Sequence, residues 1–406
     1  MFDVLKLLTV LALIVFLLYR KWNLGLVLVL ASLLLGLFYA RPVDALARDA
    51  LGAVTDWLTL RLAAIVILIL TLGEILRRTA RLDGMVHALE QLIPDTRIVL
   101  AVVPAFIGLL PMVGGAVFSA PMVDHLGDRL AAGSGRKTFV NYWFRHIWEY
   151  VFPLYPSFLL ATTLLGLPEQ QATATMWPLT VACALGGVLF GLLGIRRADR
   201  PRRREGTLVG LRELALSVWP IALVLILALA AGIDLIISLL IAILFLSLIN
   251  RVGGRQLWDI LLHAVRWDTV LVIFGAMVFR RVLDETGAVA VASRTLTEMD
   301  VPLVLVLFAV PFVAGLLSGL GTAAFAIGFP IVLPLIDQGQ IAPELAMWAW
   351  AGGFLGVMMS PVHLCLALTR DYFDAEWGEV YRMIVPAVLL TAGTAGLYLF
   401  LEMSSG

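Results

Sequence analysis

Charge is what this chain has least of. Asp, Glu, Lys and Arg make up 14% of its 406 residues, where soluble domains carry about 25%. The 29 basic and 29 acidic residues cancel, so no bulk field draws the chain to nucleic acid. Cysteine is nearly absent. Cys183 and Cys365 each sit inside an apolar stretch and read as small core residues, neither a disulfide framework nor a metal site. The chain has no His-Glu-x-x-His pattern and no Gly-x-x-x-x-Gly-Lys-Ser/Thr loop. The first absence excludes a zinc protease of that type, and the second argues against ATP-driven pumping; an enzymatic role is not expected. Residues 4–18 are apolar but lack a small-residue cleavage site, and Arg20-Lys21 and a second apolar run follow. They read as a first transmembrane helix, not a signal peptide.

Apolar residues fill the space that charge leaves: 61% of the chain, with a mean hydropathy of +0.98. They fall into twelve segments, roughly 4–19, 24–39, 60–77, 98–123, 139–166 and 177–195, then 214–231, 233–249, 268–283, 302–334, 345–368 and 383–402. Several are shorter than the about 20 residues of a bilayer span. Between the two sets lies the one strongly basic, proline-containing stretch, Arg196 to Gly206. Residues 196–213 therefore read as a linker between a first unit, 1–195, and a second, 214–406.

Both units carry the same punctuation. Gly108-Leu109-Leu110-Pro111-Met112-Val113-Gly114-Gly115-Ala116 in the first answers Gly315-Leu316-Leu317-Ser318-Gly319-Leu320-Gly321-Thr322-Ala323 in the second. Arg77-Arg78 and Arg280-Arg281 close matching segments, and Gly84 and Gly287 follow at equal spacing. Amphipathic stretches 42–59 and 255–267 occupy the same slot, and Phe152-Pro153-Leu154-Tyr155 faces Ser360-Pro361-Val362-His363. Matches in one order predict an internal repeat. If 98–123 and 302–334 are re-entrant hairpins, each unit crosses five times, an odd number, and the second unit is inverted. The positive-inside rule then holds. With the linker in the cytoplasm, Arg20, Lys21, Arg77, Arg78, Arg81, Arg129, Arg136 and Lys137 share its side, as do Arg251, Arg255, Arg266, Arg370 and Arg382. Outside, 168–175 and 337–344 hold no lysine or arginine; Arg41, Arg48, Arg280 and Arg281 are exceptions. The expected fold is an all-α polytopic membrane protein of two inverted repeats. Each has about five transmembrane crossings plus one re-entrant helical hairpin, and both termini lie outside.

Hydrocarbon offers no water to backbone groups, so non-helical backbone at that depth is buried in protein or lines a wet cavity. Half-helices meeting at a tip leave free N–H groups at one end and free C=O groups at the other. The first favour anions and the second cations. Pro111, Gly114, Gly115 and Ser119 at one tip, and Ser318, Gly319, Gly321 and Thr322 at the other, are the candidate binding residues. The plainer reading is that small residues merely let helices pack closely. The segments that follow, 139–166 and 345–368, also break: Pro153 and Pro156 interrupt one, and Gly352, Gly353, Gly356, Ser360 and Pro361 the other. Tyr155, Ser360 and His363 lie at those breaks and join the candidate set. His146 and Glu149, three apart on one helix face, could relay a proton. The alternative makes them, with Arg145, a solvated ion cluster at the cytoplasmic end. Glu74 is a third coupling candidate, or simply the i, i+4 partner of Arg78.

At these residues the chain resembles a prokaryotic membrane-protein family known as domain of unknown function 401, within the broad ion transporter superfamily. Gluconate permeases and divalent-anion symporters look similar at the level of architecture. The resemblance covers nearly the whole length. It implies a scaffold and a mobile transport domain, often in a homodimer in the inner membrane, with elevator-like movement and organic-anion transport coupled to Na+ or H+. The symporters' Ser-Asn-Thr tips are replaced here by Pro111-Met112-Val113 and Ser318-Gly319-Leu320, so dicarboxylate recognition and sodium coupling do not carry over. The expected function is a secondary active transporter of a small solute, an organic anion first. H+ or Na+ is its coupling ion, the latter at the hairpin tips, and there is no other cofactor or metal. A cation/proton antiporter is the alternative and needs a buried carboxylate; Glu74 and Glu149 are the candidates, and neither reads as deep. A channel or an intramembrane enzyme fits the paired breaks less well.

Overall fold

A computed structural model of the chain describes residues 2–78, 88–89, 92–109, 115–195, 207–265, 267–288, 301–336 and 341–405. The first tip (Pro111, Gly114), Arg81, Gly84 and the basic stretch 196–206 lie outside them. The described residues are helical, with no strand among them. The first half holds α1 Phe2–Tyr19, α2 Leu24–Phe38, α3 Val43–Thr55, α4 Trp57–Arg78, α5 Thr96–Gly108, α6 Gly115–Arg129, α7 Ser134–Arg145, α8 Pro156–Leu165 and α9 Glu169–Gly186. The second holds α10 Thr207–Leu225, α11 Leu235–Ile249, α12 Gly254–Ala264, α13 Trp267–Glu285, α14 Leu303–Ser318, α15 Gly321–Val332, α16 Pro343–Met359, α17 Leu364–Phe373 and α18 Trp377–Ser405. Short side-chain caps set several starts. Asn23, Asp95 and Asp234 accept hydrogen bonds from Leu26, Arg97 and Ile236 N–H groups that the helix itself leaves unpaired.

Four of these helices are long and apolar enough to cross a membrane, or six if each of two bent pairs counts as one span. Others, including α2, α5, α8, α11, α14 and α15, are apolar but shorter, whereas α16 and α17 together count among the four. Outward faces carry Leu33 and Leu37 on α2, Leu244 and Leu248 on α11, and Leu389, Leu397 and Phe400 on α18, all exposed. Such faces suit hydrocarbon. This is the architecture of a multi-pass helical membrane protein. The two amphipathic stretches form the short helices α3 and α12, which bury only Leu46, Asp49 and Ala53, and Ile260 and Ala264.

One group of helices interlocks α2 with α13 and α4 with α11. Gly25 and Gly275 let α2 and α13 touch at the backbone, since a Cβ on Gly275 would stand 2.4 Å from the Gly25 oxygen. Ion pairs tie the rim of this group across the halves: Arg41–Glu285 at 2.9 Å, Arg61–Asp234 at 3.0 Å and Arg78–Asp259 at 2.9 Å. A second group holds the hairpin α14–α15 with α16, and α5–α6 with α7. Gly328 on α15 packs on Pro311 of α14, equally far from the tip, so the hairpin arms run antiparallel.

The glycines Gly352, Gly353 and Gly356 do not break α16, which continues to Met359. They let it lie against α14. A Cβ on Gly352 would stand 2.4 Å from the Phe308 oxygen, and one on Gly356 2.1 Å from the Phe312 oxygen. Here the plainer reading of small residues as packing contacts holds. Gly356→Val should therefore force two backbones apart, costing at least about 1–3 kcal/mol, and lower the thermal midpoint in detergent or abolish monodisperse protein. Gly393→Ala, whose Cβ meets open space, should leave the midpoint unchanged or raise it by about the helix-propensity gain of up to 1 kcal/mol. Equal midpoints for the two variants would contradict this packing.

Candidate functional site

Prolines set the restart of one broken helix and the end of the other. α7 ends at Arg145, and residues 146–155 run through turns until Pro156 opens α8 at its first position. Tyr155, just before that proline, is extended at φ −92° and ψ 128°, as the pyrrolidine ring requires of its predecessor. Likewise α16 ends at Met359, and Ser360 before Pro361 is extended at φ −75° and ψ 122°. His363 then starts α17. The second hairpin turns at Gly319, in the left-handed region at φ +64°. A side chain there would also meet the His363 backbone nitrogen at 2.7 Å.

These interruptions meet around one cavity of about 230 Å³. Its walls are the starts of α8 (Tyr155, Pro156, Ser157), α15 (Gly319 to Thr322) and α17 (His363 to Cys365), together with Arg145, His146 and Glu149. Leu70 of α4 and Thr269 of α13 close it from the first helix group. The first few N–H groups of a helix have no partner within it. Three such ends therefore face the cavity. Phenols cover the carbonyl ends of two neighbouring helices, α5 and α16. Tyr155 donates to the Gly108 oxygen at the end of α5. Tyr142 donates to the Met358 oxygen at 3.2 Å, and Tyr381 to the Met359 oxygen at 2.8 Å, both at the end of α16.

Arg145, His146 and Glu149 are no solvated cluster. Arg145 is 4% exposed, His146 1%, and the Glu149 side chain 11%. The expectation that no carboxylate lies deep is corrected for Glu149, because the turn after α7 carries it inward instead of along the helix surface. Arg145 Nη1 stands 3.4 Å from Cys365 Sγ. Gly115 lies so close that a Cβ there would be 2.6 Å from Nη2. His146 Nδ1 lies 2.6 Å from the Tyr142 carbonyl, which makes it the N–H end of that ring. Its Nε2 lies 3.2 Å from His363 Nε2 and 3.7 Å from Glu149 Oε1. His363 Nδ1 is buried with no hydrogen-bond partner.

Of the residues singled out in the sequence, Tyr155, Gly319, Gly321, Thr322, His363, His146 and Glu149 line this cavity, with Gly115 behind Arg145. Four lie off it. Ser119 bonds to carbonyls of its own helix, Ser318 donates back to Ala314 at 2.6 Å, Ser360 is buried beside the break, and Glu74 holds Arg77 and Arg78 at 2.6 and 2.7 Å. Pro111 and Gly114 lie outside the described residues. Ser157 and Cys365 were missed by the sequence reading, and Arg145 was noted only as part of an ion cluster. Ser157 and Cys365 lie within about a turn of Pro156 and Pro361, which was the available signal; Arg145, eight residues before Pro153, carried none. Other clefts of similar size hold ions already paired, such as Arg61 with Asp234 and Glu169.

The molecule is thus a multi-pass helical membrane protein with a partly charged cavity where two helix breaks and a hairpin tip meet. The family model for "Protein of unknown function (DUF401)" matches residues 2–401, and the chain belongs to that family. No curated protein matches it.

The tip geometry has a measurable consequence. Gly319→Ala combines a left-handed φ with a backbone contact and should cost about 1–3 kcal/mol, seen as a lower thermal midpoint. Gly378→Ala, where a Cβ meets nothing, should not. If both variants melt alike, the close approach of Gly319 to His363 is wrong.

Proposed function

We propose that the protein is a secondary active transporter of a small organic anion, built from two inverted repeats and working by elevator-like alternating access. The observation that carries this reading is the charge around the cavity. Each helix N-terminus counts as roughly +0.5 of a charge. Three of them and Arg145 outweigh an ionised Glu149 by about +1.5, and the carbonyl ends of α7 and α14 lower this to about +0.5. This balance favours an anion there. The cavity of about 230 Å³ is smaller than the roughly 300–1,000 Å³ of drug-sized ligand sites, which suits a short carboxylate or sugar acid.

Support for the repeat comes from element order and reciprocal packing. The nine helices α1–α9 answer α10–α18 one by one, each half with a surface helix, a hairpin and a broken helix. The contact of α2 with α13 has its counterpart in α11 with α4, and that of α5 with α7 in α14 with α16. An odd number of crossings per half makes the second inverted, puts linker 196–213 in the cytoplasm and both termini outside. The interlocked α2, α4, α11 and α13 would be the scaffold, and the hairpins and broken helices the moving part. A homodimer in the inner membrane, membership of the ion transporter superfamily and H+ or Na+ as coupling ion are what the family resemblance implies for this reading. A cation/proton antiporter is the second reading, and the enclosed Glu149 favours it.

The test is a thermal-shift screen of detergent-purified protein with small carboxylates, sugar acids and neutral solutes, at two pH values and with sodium or potassium, followed by uptake into proteoliposomes. A ligand at about 100 times its Kd stabilises by about 2.7 kcal/mol. A carboxylate should raise the midpoint, Arg145→Gln should lose the shift, and Arg145→Lys should keep part of it. If sodium or pH alone moves the midpoint and no organic anion does, the antiporter reading replaces this one.

A further inference from the structure

We propose that His146, His363 and Cys365 form a site for a soft divalent transition-metal ion, of which Zn2+ is the type case, lodged between the two helix breaks. The two imidazoles and the thiol bring one ligand atom each within 4.8 Å of one another. The imidazole Nε2 atoms face each other at 3.2 Å with the rings nearly perpendicular, at 81°. Two imidazoles on a tetrahedral zinc, with Zn–N of about 2.0–2.1 Å, hold their nitrogens about 3.4 Å apart. The pair therefore needs almost no movement to share an ion. The sulfur must close by roughly an ångström, which a side chain on the first turn of α17 can supply by rotating. His146 already has the outer contact that zinc-bound histidines use: its Nδ1–H points to the Tyr142 carbonyl and fixes Nε2 as the lone-pair end. Glu149, 3.7 Å from His146 Nε2, is within reach of the fourth position.

The protons balance. In the metal-free form the His363 Nε2–H is directed at His146 Nε2. On binding, that proton moves to His363 Nδ1, which is buried and has no hydrogen-bond partner. The Cys365 thiol gives up its proton to water, so one proton leaves per ion bound. The donor set, two nitrogens and a sulfur, selects zinc or cobalt over Mg2+ and Ca2+. Reading Cys365 from the sequence as a plain core residue misses this, because nothing in the chain order brings it to His146. The ligands come from both breaks, so a bound ion clamps them together. The site stands whether or not that cavity carries an organic anion.

The probe is Co2+ and Zn2+ with tag-free, chelator-washed protein in detergent. Cobalt should give a thiolate-to-metal charge-transfer band that Cys365→Ser removes and Cys183→Ser keeps, Cys183 being fully buried. Zn2+ should slow maleimide labelling of Cys365 in the Cys183→Ser background at least about tenfold, and Mg2+ should not. His363→Gln should abolish that protection with the unliganded midpoint unchanged. If His363→Gln fails to fold, the cobalt band and the protection in the Cys183→Ser background still decide. A cobalt titration with no sulfur band, or zinc that leaves labelling within twofold, overturns the site and leaves the histidines as a simple hydrogen-bonded pair.

Discussion

A polypeptide inside a membrane cannot leave backbone groups unpaired, and the centre of this fold answers to that constraint. Helices α5, α7, α14 and α16 stop in the interior, and each stop frees carbonyls while the next start frees N–H groups. Tyrosine hydroxyls from three places, Tyr142, Tyr155 and Tyr381, cover the carbonyl ends of α5 and α16. Nothing apolar can cover the N–H side, so those ends turn together onto one space. The cavity is the common solution to three separate backbone problems, and its positive character follows from which ends the phenols have already covered.

Close packing makes the convergence possible. Without side chains at Gly352 and Gly356, α16 reaches the α14 backbone. The same device at Gly25 and Gly275 joins α2 to α13. Where Gly115 and Gly321 stand, a Cβ would press on the Arg145 guanidinium or on Ser157. These glycines thus serve two purposes that look identical in composition: those on α2, α13 and α16 bring backbones together, and Gly115 and Gly321 keep space for side chains of the cavity.

Much of the architecture was legible in the chain. Apolar runs marked the helices, proline marked both breaks, and the repeated glycine motif marked the second hairpin, which turns at Gly319. Depth was not legible. Helix periodicity assigns Glu149 to the end of a segment, but Pro153 and Pro156 turn the chain inward there, and no period describes a turn. Cys365 and Arg145 meet across 220 residues of sequence, a contact that neither motif nor spacing encodes. Glycine is ambiguous for a physical reason: the absence of a Cβ permits both a bend and a close approach, and only the neighbouring helix decides which occurs at Gly352.

The interlocking of the halves bears on how the chain is made. α2 needs α13, α4 needs α11, and α8 needs α15, while the Arg61–Asp234 pair spans 173 residues. Synthesis delivers the first half earlier, with the Gly25 groove open and several helices facing lipid on surfaces meant for protein. The hairpin helices of each half pack among themselves, but α2 and α4 find their main partners only in the second half. The nascent first half must wait in the bilayer as a loose set of helices, exposed to membrane proteases and to pairing with a second nascent copy, until its own sequel arrives.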